Sequence, residues 1–531
     1  MRQPQIPGMI PRPWLFWTGV GLSSLGIALH VQMLFDISPS GGAASHSGHT
    51  GHSSVVMWLA VAAIVEGVVL AGIGLVPKRR TSESATAVTE DPAPIAPERR
   101  ATLRTRLVVV LAFALMVDQM KPATLAFILP GARAEYGLTA AEVSMLPLGA
   151  LCGTVVGSLV WGRLADVIGR RAAVLLAALL FVATTVCGAM PTFEGNVIMC
   201  IIMGMPAGGM LPIVYTLLLE LLPNRSAMMV LTAGLTSVGG YLAASGLAAV
   251  FVPMLGWRSL WFLQLPLALA LLGLNRWIPE SPSFLAAQGR HAEARRTALC
   301  FGLPQPVPEP RTPGGVRPLF SAAYRRQSTL ICAFALSWGL VYWGFMTFLP
   351  TVLSQAGLPV TAPEILFYSA LLSIPGTAAA AWLYSRWSTR RTMTLYGALS
   401  ALGLLTLTTV PLGEAALAIP ALIGLLTGTS GVVAVLGPYT AQTYPTAFRG
   451  MGNGLSAACT KSGGIIGPPL IGSMLSVMPL GRVAMLVAVP IALSTAAVSC
   501  WGRETGVAPA SSVDPVKTEH AHTPEAAGAR P

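Results

Sequence analysis

Asp118 and Lys121, two ionisable side chains in the middle of an apolar run, are the residues of this 531-residue chain best placed to do chemistry. An ionised group at the centre of a bilayer costs roughly 2.5–3.5 kcal/mol on insertion scales, so it needs a partner or a task. Three residues apart on a helix, the two share a face. They read either as a self-neutralising pair that lets the helix insert, or as a coupling pair. In the second case an organic anion captured by Lys121 would leave Asp118 to take up a proton. Lys461, in a later apolar run, is a second cation with no acid close by in sequence; it faces a substrate or snorkels to the surface. Trp338, Tyr342, Trp343 and Phe345 crowd another run. They offer faces on which an aromatic ligand could stack, or side chains that pack the interior.

The second chemically dense stretch is Gly162–Arg171, Gly-Arg-Leu-Ala-Asp-Val-Ile-Gly-Arg-Arg, between two apolar runs. Its glycines permit a tight reversal and close helix approach. Asp166, Gly169, Arg170 and Arg171 belong to it, and such a loop reads as a gate at the membrane surface. Asp166 is expected to pair with arginines of neighbouring loops, Arg225 foremost, with Glu280 in the same network. In an outward-open state these ion pairs would hold two halves of the molecule shut on the inside, and they would break for release. Exposed pairs are worth only about 0–1 kcal/mol each, which suits a reversible latch. Elsewhere Glu66 and His30 stand in the first two apolar runs, and His46, His49 and His52 recur at a spacing of three between them. Imidazoles so spaced are weak candidates for a metal such as Zn or Cu, and the expectation is that no metal or other cofactor is required.

These residues need a membrane-spanning frame. The chain is 53% hydrophobic and 10% charged, against about 25% charged in soluble domains. Runs of about 20 apolar residues recur, enough to cross a bilayer as helix. We read fourteen spans in an all-α membrane protein. A two-helix hairpin (1–77) precedes a Ser-, Thr- and Pro-rich linker (78–106). A six-helix bundle (107–278), a cytoplasmic segment with a surface helix at Ser283–Leu299 and five later prolines (279–327), a second six-helix bundle (328–501) and a polar tail (502–531) follow. Of the Lys and Arg residues, 28 fall on one side by parity and only Arg133, Arg258 and Arg482 on the other. That asymmetry places both termini in the cytoplasm. The net charge of +12 therefore reports topology, and nucleic acid is not an expected partner. The seven cysteines show no Cys-x-x-Cys spacing and read as buried small residues. No phosphate-binding loop and no nucleophile–base pair is present, so an enzyme is not expected.

The two six-span blocks resemble one another. Leu129-Pro130, Gly137-Leu138 and Arg170-Arg171 recur as Leu349-Pro350, Gly357-Leu358 and Arg390-Arg391, each displaced by 220, and Pro223 recurs as Pro445, displaced by 222. A tandem repeat predicts two bundles about an axis along the membrane normal, with a substrate path between them.

With this loop, repeat and central gap, the chain resembles the major facilitator superfamily over about residues 107–501. Gly162, Asp166, Gly169, Arg170 and Arg171 match its signature loop. Pro279-Glu280-Ser281-Pro282, the segment from Glu220 through Pro223 to Arg225, and the segment from Tyr444 through Pro445 to Arg449 and Gly450 match its sugar-porter-like branch. Gly204–Gly209, broken by Pro206, looks like that branch's glycine-rich fourth helix. Asp118 and Lys461-Ser462-Gly463 resemble the organic- and aromatic-acid:proton symporters and their synaptic-vesicle-like relatives. The chain departs from these patterns at Cys200, where an arginine is usual, at Gln442 in place of an acid, and at Arg386 in the position of Asp166. Lys121 stands where the acid symporters often have a second acid, and the first two spans have no counterpart.

The resemblance implies a monomeric secondary active transporter of the cell membrane working by alternating access. The expected cargo is a small organic anion, possibly aromatic, taken up with protons. A sugar or polyol symporter and a proton-driven drug exporter remain open, as does a non-transporting sensor or metal-handling membrane protein. Glu220, Arg225, Glu280 and Arg449 join the gate on this reading.

Overall fold

The computed structural model describes residues 12–37, 51–76, 96–190, 192–222, 226–304, 317–354, 361–409, 415–444 and 446–505, and every regular element among them is helical. In hydrocarbon only a helix or a closed barrel satisfies the backbone's own polar groups. Helices α1 (Pro13–Ile37) and α2 (Gly51–Leu75) form a hairpin in which Gly19 meets Gly67 backbone to backbone. The hairpin packs on α6 (Arg170–Ala183) and on the 3-10 turn Thr184–Ala189 that continues it.

The first six-helix set comprises α3 (Pro97–Tyr136), the short α4 (Ala140–Val143), α5 (Met145–Ile168), α6, α7 (Phe193–Leu221), α8 (Ser226–Leu255), and α9 (Ser259–Phe262) with α10 (Leu265–Leu274). Two short helices, α11 (Pro282–Ala287) and α12 (His291–Phe301), follow. In the second set α13 (Arg325–Gly339) runs through a π-helical turn, Leu340–Phe345, into α14 (Met346–Ser354). It ends with α15 (Ala362–Arg386), α16 (Thr389–Thr409), α17 (Ala415–Thr443), α18 (Thr446–Val477) and α19 (Leu480–Trp501).

Ten of the described helices are long and apolar enough to cross a membrane. Helices α3 and α18, of 40 and 32 residues, carry Asp118 and Lys121, and Lys461, respectively. The repeat seen in the sequence has local structural counterparts. Thr139 with Glu142 and Thr361 with Glu364 each form a capping box, launching the second helix of either set. The sets meet along a seam in which α8 packs on α15 and α17, α3 on α14, and α18 on α4 and α5.

Three expectations need correction. Helix α3 starts at Pro97, inside the expected linker, because Pro97 and Glu98 suit a helix's first turn. The single surface helix at Ser283–Leu299 is two, divided where Gly289 turns with φ 73°. And α7 runs unbroken through Pro206 and Pro212.

Candidate functional site

Asp118, near the middle of α3, is buried. Its Oδ2 accepts a hydrogen bond from Gln119 Nε2 at 3.2 Å, and its Oδ1 has no hydrogen-bond partner. Lys121 does not pair with it. The Lys121 ammonium donates to the Phe181 carbonyl at 2.7 Å and reaches Thr184 Oγ1 at 3.4 Å, with the Phe181 ring 5.6 Å away. This corrects the expected Asp118–Lys121 couple. Positions three apart on a helix still diverge by about 60° around its axis, and Lys121 takes the side facing α6. There it fastens α3 to the point where α6 passes into its 3-10 turn.

A second cation, Lys461 of α18, lies within electrostatic reach of Asp118. Its ammonium crosses the seam and donates to two carbonyls of the first half, Thr154 at 3.2 Å and Gly208 at 3.4 Å. Packing makes these carbonyls reachable. Helices α5 and α7 cross through Gly153, Gly157, Gly204 and Gly208, and a Cβ on Gly208 would overlap the Thr154 oxygen. A helical carbonyl keeps a second lone pair after its own helix bond, and two such lone pairs take the ammonium. From this seat Lys461 acts on Asp118 through its charge. Lys461 therefore does not snorkel to a surface.

The aromatic residues of the second half lie on the same seam. Trp338 is fixed by its indole N–H, which donates to the Thr429 carbonyl at 3.1 Å. Tyr342 stacks on Trp338 with centroids 4.9 Å apart and planes at 18°, and Trp343 meets Tyr342 edge-on at 4.9 Å. The π-helical turn, which carries Tyr342 and Trp343, inserts a residue into the helical register, a feature frequent at functional sites. Across the seam the Tyr342 hydroxyl meets Ser237 Oγ of α8 at 3.2 Å. Ser237 had no distinguishing sequence signal. Trp343 lies against Gly464, three residues beyond Lys461.

The charged loop turns on a glycine and a carboxylate. Gly169 takes φ 102°, and a Cβ there would overlap the Glu280 carboxylate, so only glycine fits. Glu280 Oε1 then accepts the backbone N–H of Arg170 at 2.8 Å, of Arg171 at 3.4 Å and of Ser281 at 3.0 Å, capping the start of α6. Arg170 pairs with Glu220 at 3.6 Å, and Ser281 Oγ donates to Glu220. Burial pushes the Glu280 carboxyl above the usual range although those N–H groups and Arg170 favour its charge.

The second half holds a matching clamp. Glu504 accepts the Thr389 N–H at 2.8 Å and the hydroxyls of Ser388 and Thr389, capping the start of α16. Thr505 Oγ1 donates to Gln442 at 3.1 Å, and so does the Tyr384 hydroxyl at 2.8 Å. Burial opposes the Glu504 charge, but the bonds from Ser388 and Thr389 outweigh it and hold the carboxyl below its ordinary value. Sequence reading missed this clamp, although Trp277-x-x-Glu280-Ser281 recurs as Trp501-x-x-Glu504-Thr505. In both clamps these contacts join helices of the same half, whereas the expected latch rests on Asp166 and Arg225, whose side chains lie outside the described residues. Nothing is described for the side chains of Asp166, Arg449, His46, His49 and His52, for the surroundings of Gly162, or for Arg225.

Comparison with known proteins gives a consistent picture. A family model described as Major Facilitator Superfamily matches residues 111–435. A gallate transporter of Pseudomonas putida is 28% identical over 70% of this chain and 85% of its own length. A 4-hydroxybenzoate transporter, PcaK, of Pseudomonas aeruginosa is 28% identical over 75% of this chain and 92% of its own. Among solved structures, the proton:xylose symporter XylE bound to 6-bromo-6-deoxy-D-glucose matches with a TM-score of 0.59 at 17% identity, over 76% of this chain and 97% of that one.

Proposed function

Since the chain belongs to the Major Facilitator Superfamily, we propose that it is a symporter that takes up a small aromatic acid together with a proton by alternating access. It is a multi-pass membrane transporter and not an enzyme. One observation carries the finer reading. Asp118 is a buried acid with one oxygen unpartnered, and a cation of the opposite half, Lys461, reaches across the seam into the same half.

A substrate carboxylate entering the seam competes with the Thr154 and Gly208 carbonyls for the Lys461 ammonium. A charge-assisted bond is roughly twice as strong as one to a neutral carbonyl, so Lys461 turns toward the substrate. Asp118 then loses its counter-charge and takes up a proton. Acid and proton occupy the seam together, and the buried charges balance while the halves rock. Trp343 and Tyr342 supply the face on which an aromatic ring rests. The names of the gallate and 4-hydroxybenzoate relatives support an aromatic acid as cargo.

The seam is packed where α18 meets α4 and α3 meets α14, at the end away from the Gly162–Arg171 loop. We read this conformation as closed on the outer face. The two capped clamps keep each half rigid at the inner face as it moves. On this reading the chain crosses the cell membrane fourteen times as a monomer, with both termini cytoplasmic.

Uptake into proteoliposomes tests the proposal. Weak acids cross lipid unaided, so protein-free vesicles set the baseline. With the interior alkaline, 4-hydroxybenzoate or gallate should accumulate above that baseline, and a protonophore should abolish the excess. Accumulation of xylose alone, or acid flux indifferent to the gradient, would overturn it.

A further inference from the structure

We propose that Tyr241 and Ser237 of α8 form a hydroxyl subsite that selects aromatic carboxylates bearing a hydrogen-bonding group on the ring, a ring hydroxyl or a ring nitrogen. The inference rests on the acid-transport reading above and adds to it the chemistry of the substrate's far end.

The Tyr241 hydroxyl is the starting point. The residue is 5% exposed, yet its oxygen has no hydrogen-bond partner. Nearly all buried polar atoms are paired, and leaving one unpaired costs about 1–3 kcal/mol. Packing accounts for the ring, which lies 5.6 Å from that of Phe127, but a phenylalanine would pack there equally well. The hydroxyl is what needs a reason.

Its surroundings point to a ligand. Ser237 lies one turn earlier on α8, and its hydroxyl meets that of Tyr342 across the seam. Four residues on, Tyr241 shares the face of α8 that carries Ser237. Hydroxyls of both halves thus border this part of the seam, each able to donate or accept. They connect to Lys461 through the aromatic platform, since Tyr342 touches Trp343 and Trp343 lies against Gly464 on the Lys461 helix. A planar acid resting on Trp343 with its carboxylate toward Lys461 turns its opposite edge toward Ser237 and Tyr241.

The test compares benzoate, 4-hydroxybenzoate and nicotinate in proteoliposomes holding wild-type protein, Tyr241→Phe or Ser237→Ala. A single hydrogen bond contributes about 0.5–1.5 kcal/mol, so Tyr241→Phe should lower Vmax/KM about 3–10-fold for a substituted ring, chiefly through KM. Benzoate should be unchanged. A fall confined to 4-hydroxybenzoate assigns the subsite to a ring hydroxyl, and one confined to nicotinate assigns it to a ring nitrogen. Ser237→Ala should act in the same direction. Equal loss for benzoate, or no loss for any acid, overturns the subsite while leaving acid transport standing. If the wild-type protein carries none of the three, the underlying reading falls first.

Discussion

The first half presents Asp118, where the matched position of the second half, 220 residues on, holds Trp338, and the second half presents Lys461. The frame around them is duplicated, from the capping boxes at Thr139 and Thr361 to the glutamates that cap α6 and α16. What differs is the placement of charge. The acid belongs to one half and the cation acting on it to the other, so their interaction changes when a substrate enters between them or when the halves move. Lys121 makes the contrast plain. It is more deeply buried than Lys461, but its partners Phe181 and Thr184 sit in its own half, and rocking leaves that contact untouched.

Substitutions that exploit this contrast should rank by how much they disturb the seam. Lys461→Met removes the charge that answers both Asp118 and the substrate. Loss of a charge-assisted bond worth about 1.5–3 kcal/mol should cut Vmax/KM for the acid about 10–100-fold, with little change in the melting temperature of the purified protein. Lys121→Met should do the reverse, lowering the melting temperature while Vmax/KM per folded molecule stays within about threefold. Equal behaviour of the two variants would erase the distinction between seam and interior.

The clamps come next. Glu280→Ala strands buried N–H groups at the start of α6 and should cost about 1–3 kcal/mol of stability, read as a lowered melting temperature. Glu504→Ala, at a more exposed clamp, should cost less. Their pH dependence should have opposite signs. Glu280 has a raised folded value, so its linked stability is present at low pH and is lost as pH rises through that value. Glu504 has a lowered one, so its contribution is present above the ordinary glutamate value and is lost as pH falls. From about pH 4 to pH 7 the melting-temperature advantage of wild type over Glu280→Gln should shrink, and its advantage over Glu504→Gln should grow as pH rises through the lower part of that range and then level. The smallest effect belongs to Gln442→Glu. It restores to the exposed second clamp the acid that Glu220 supplies to the first, and should shift stability by less than about 1 kcal/mol.

The helical fold and its duplication were legible because hydrophobic run length and the 220-residue displacement are properties of the chain itself. Gly169 was legible as well, since a glycine beside paired arginines marks a special backbone turn. The partners of the charges were not. Lys461 binds backbone carbonyls that become reachable only where glycines let α5 and α7 touch, and carbonyls leave no mark in a sequence. Lys121 was assigned to Asp118 by spacing alone, which ignores the divergence between neighbours on one helix. The second clamp escaped notice because Arg386 replaces the acid expected there, while its working acid, Glu504, lies beyond the last helix.

The central claim is that Asp118 carries the coupling proton, and Asp118→Asn tests it most directly in proteoliposomes scored for two reactions. Asparagine keeps the shape and cannot release or bind the proton. The variant should lose accumulation of aromatic acid driven by a pH gradient, yet still exchange labelled for unlabelled acid across the membrane. Retained uphill accumulation, or loss of exchange together with accumulation, would contradict the account.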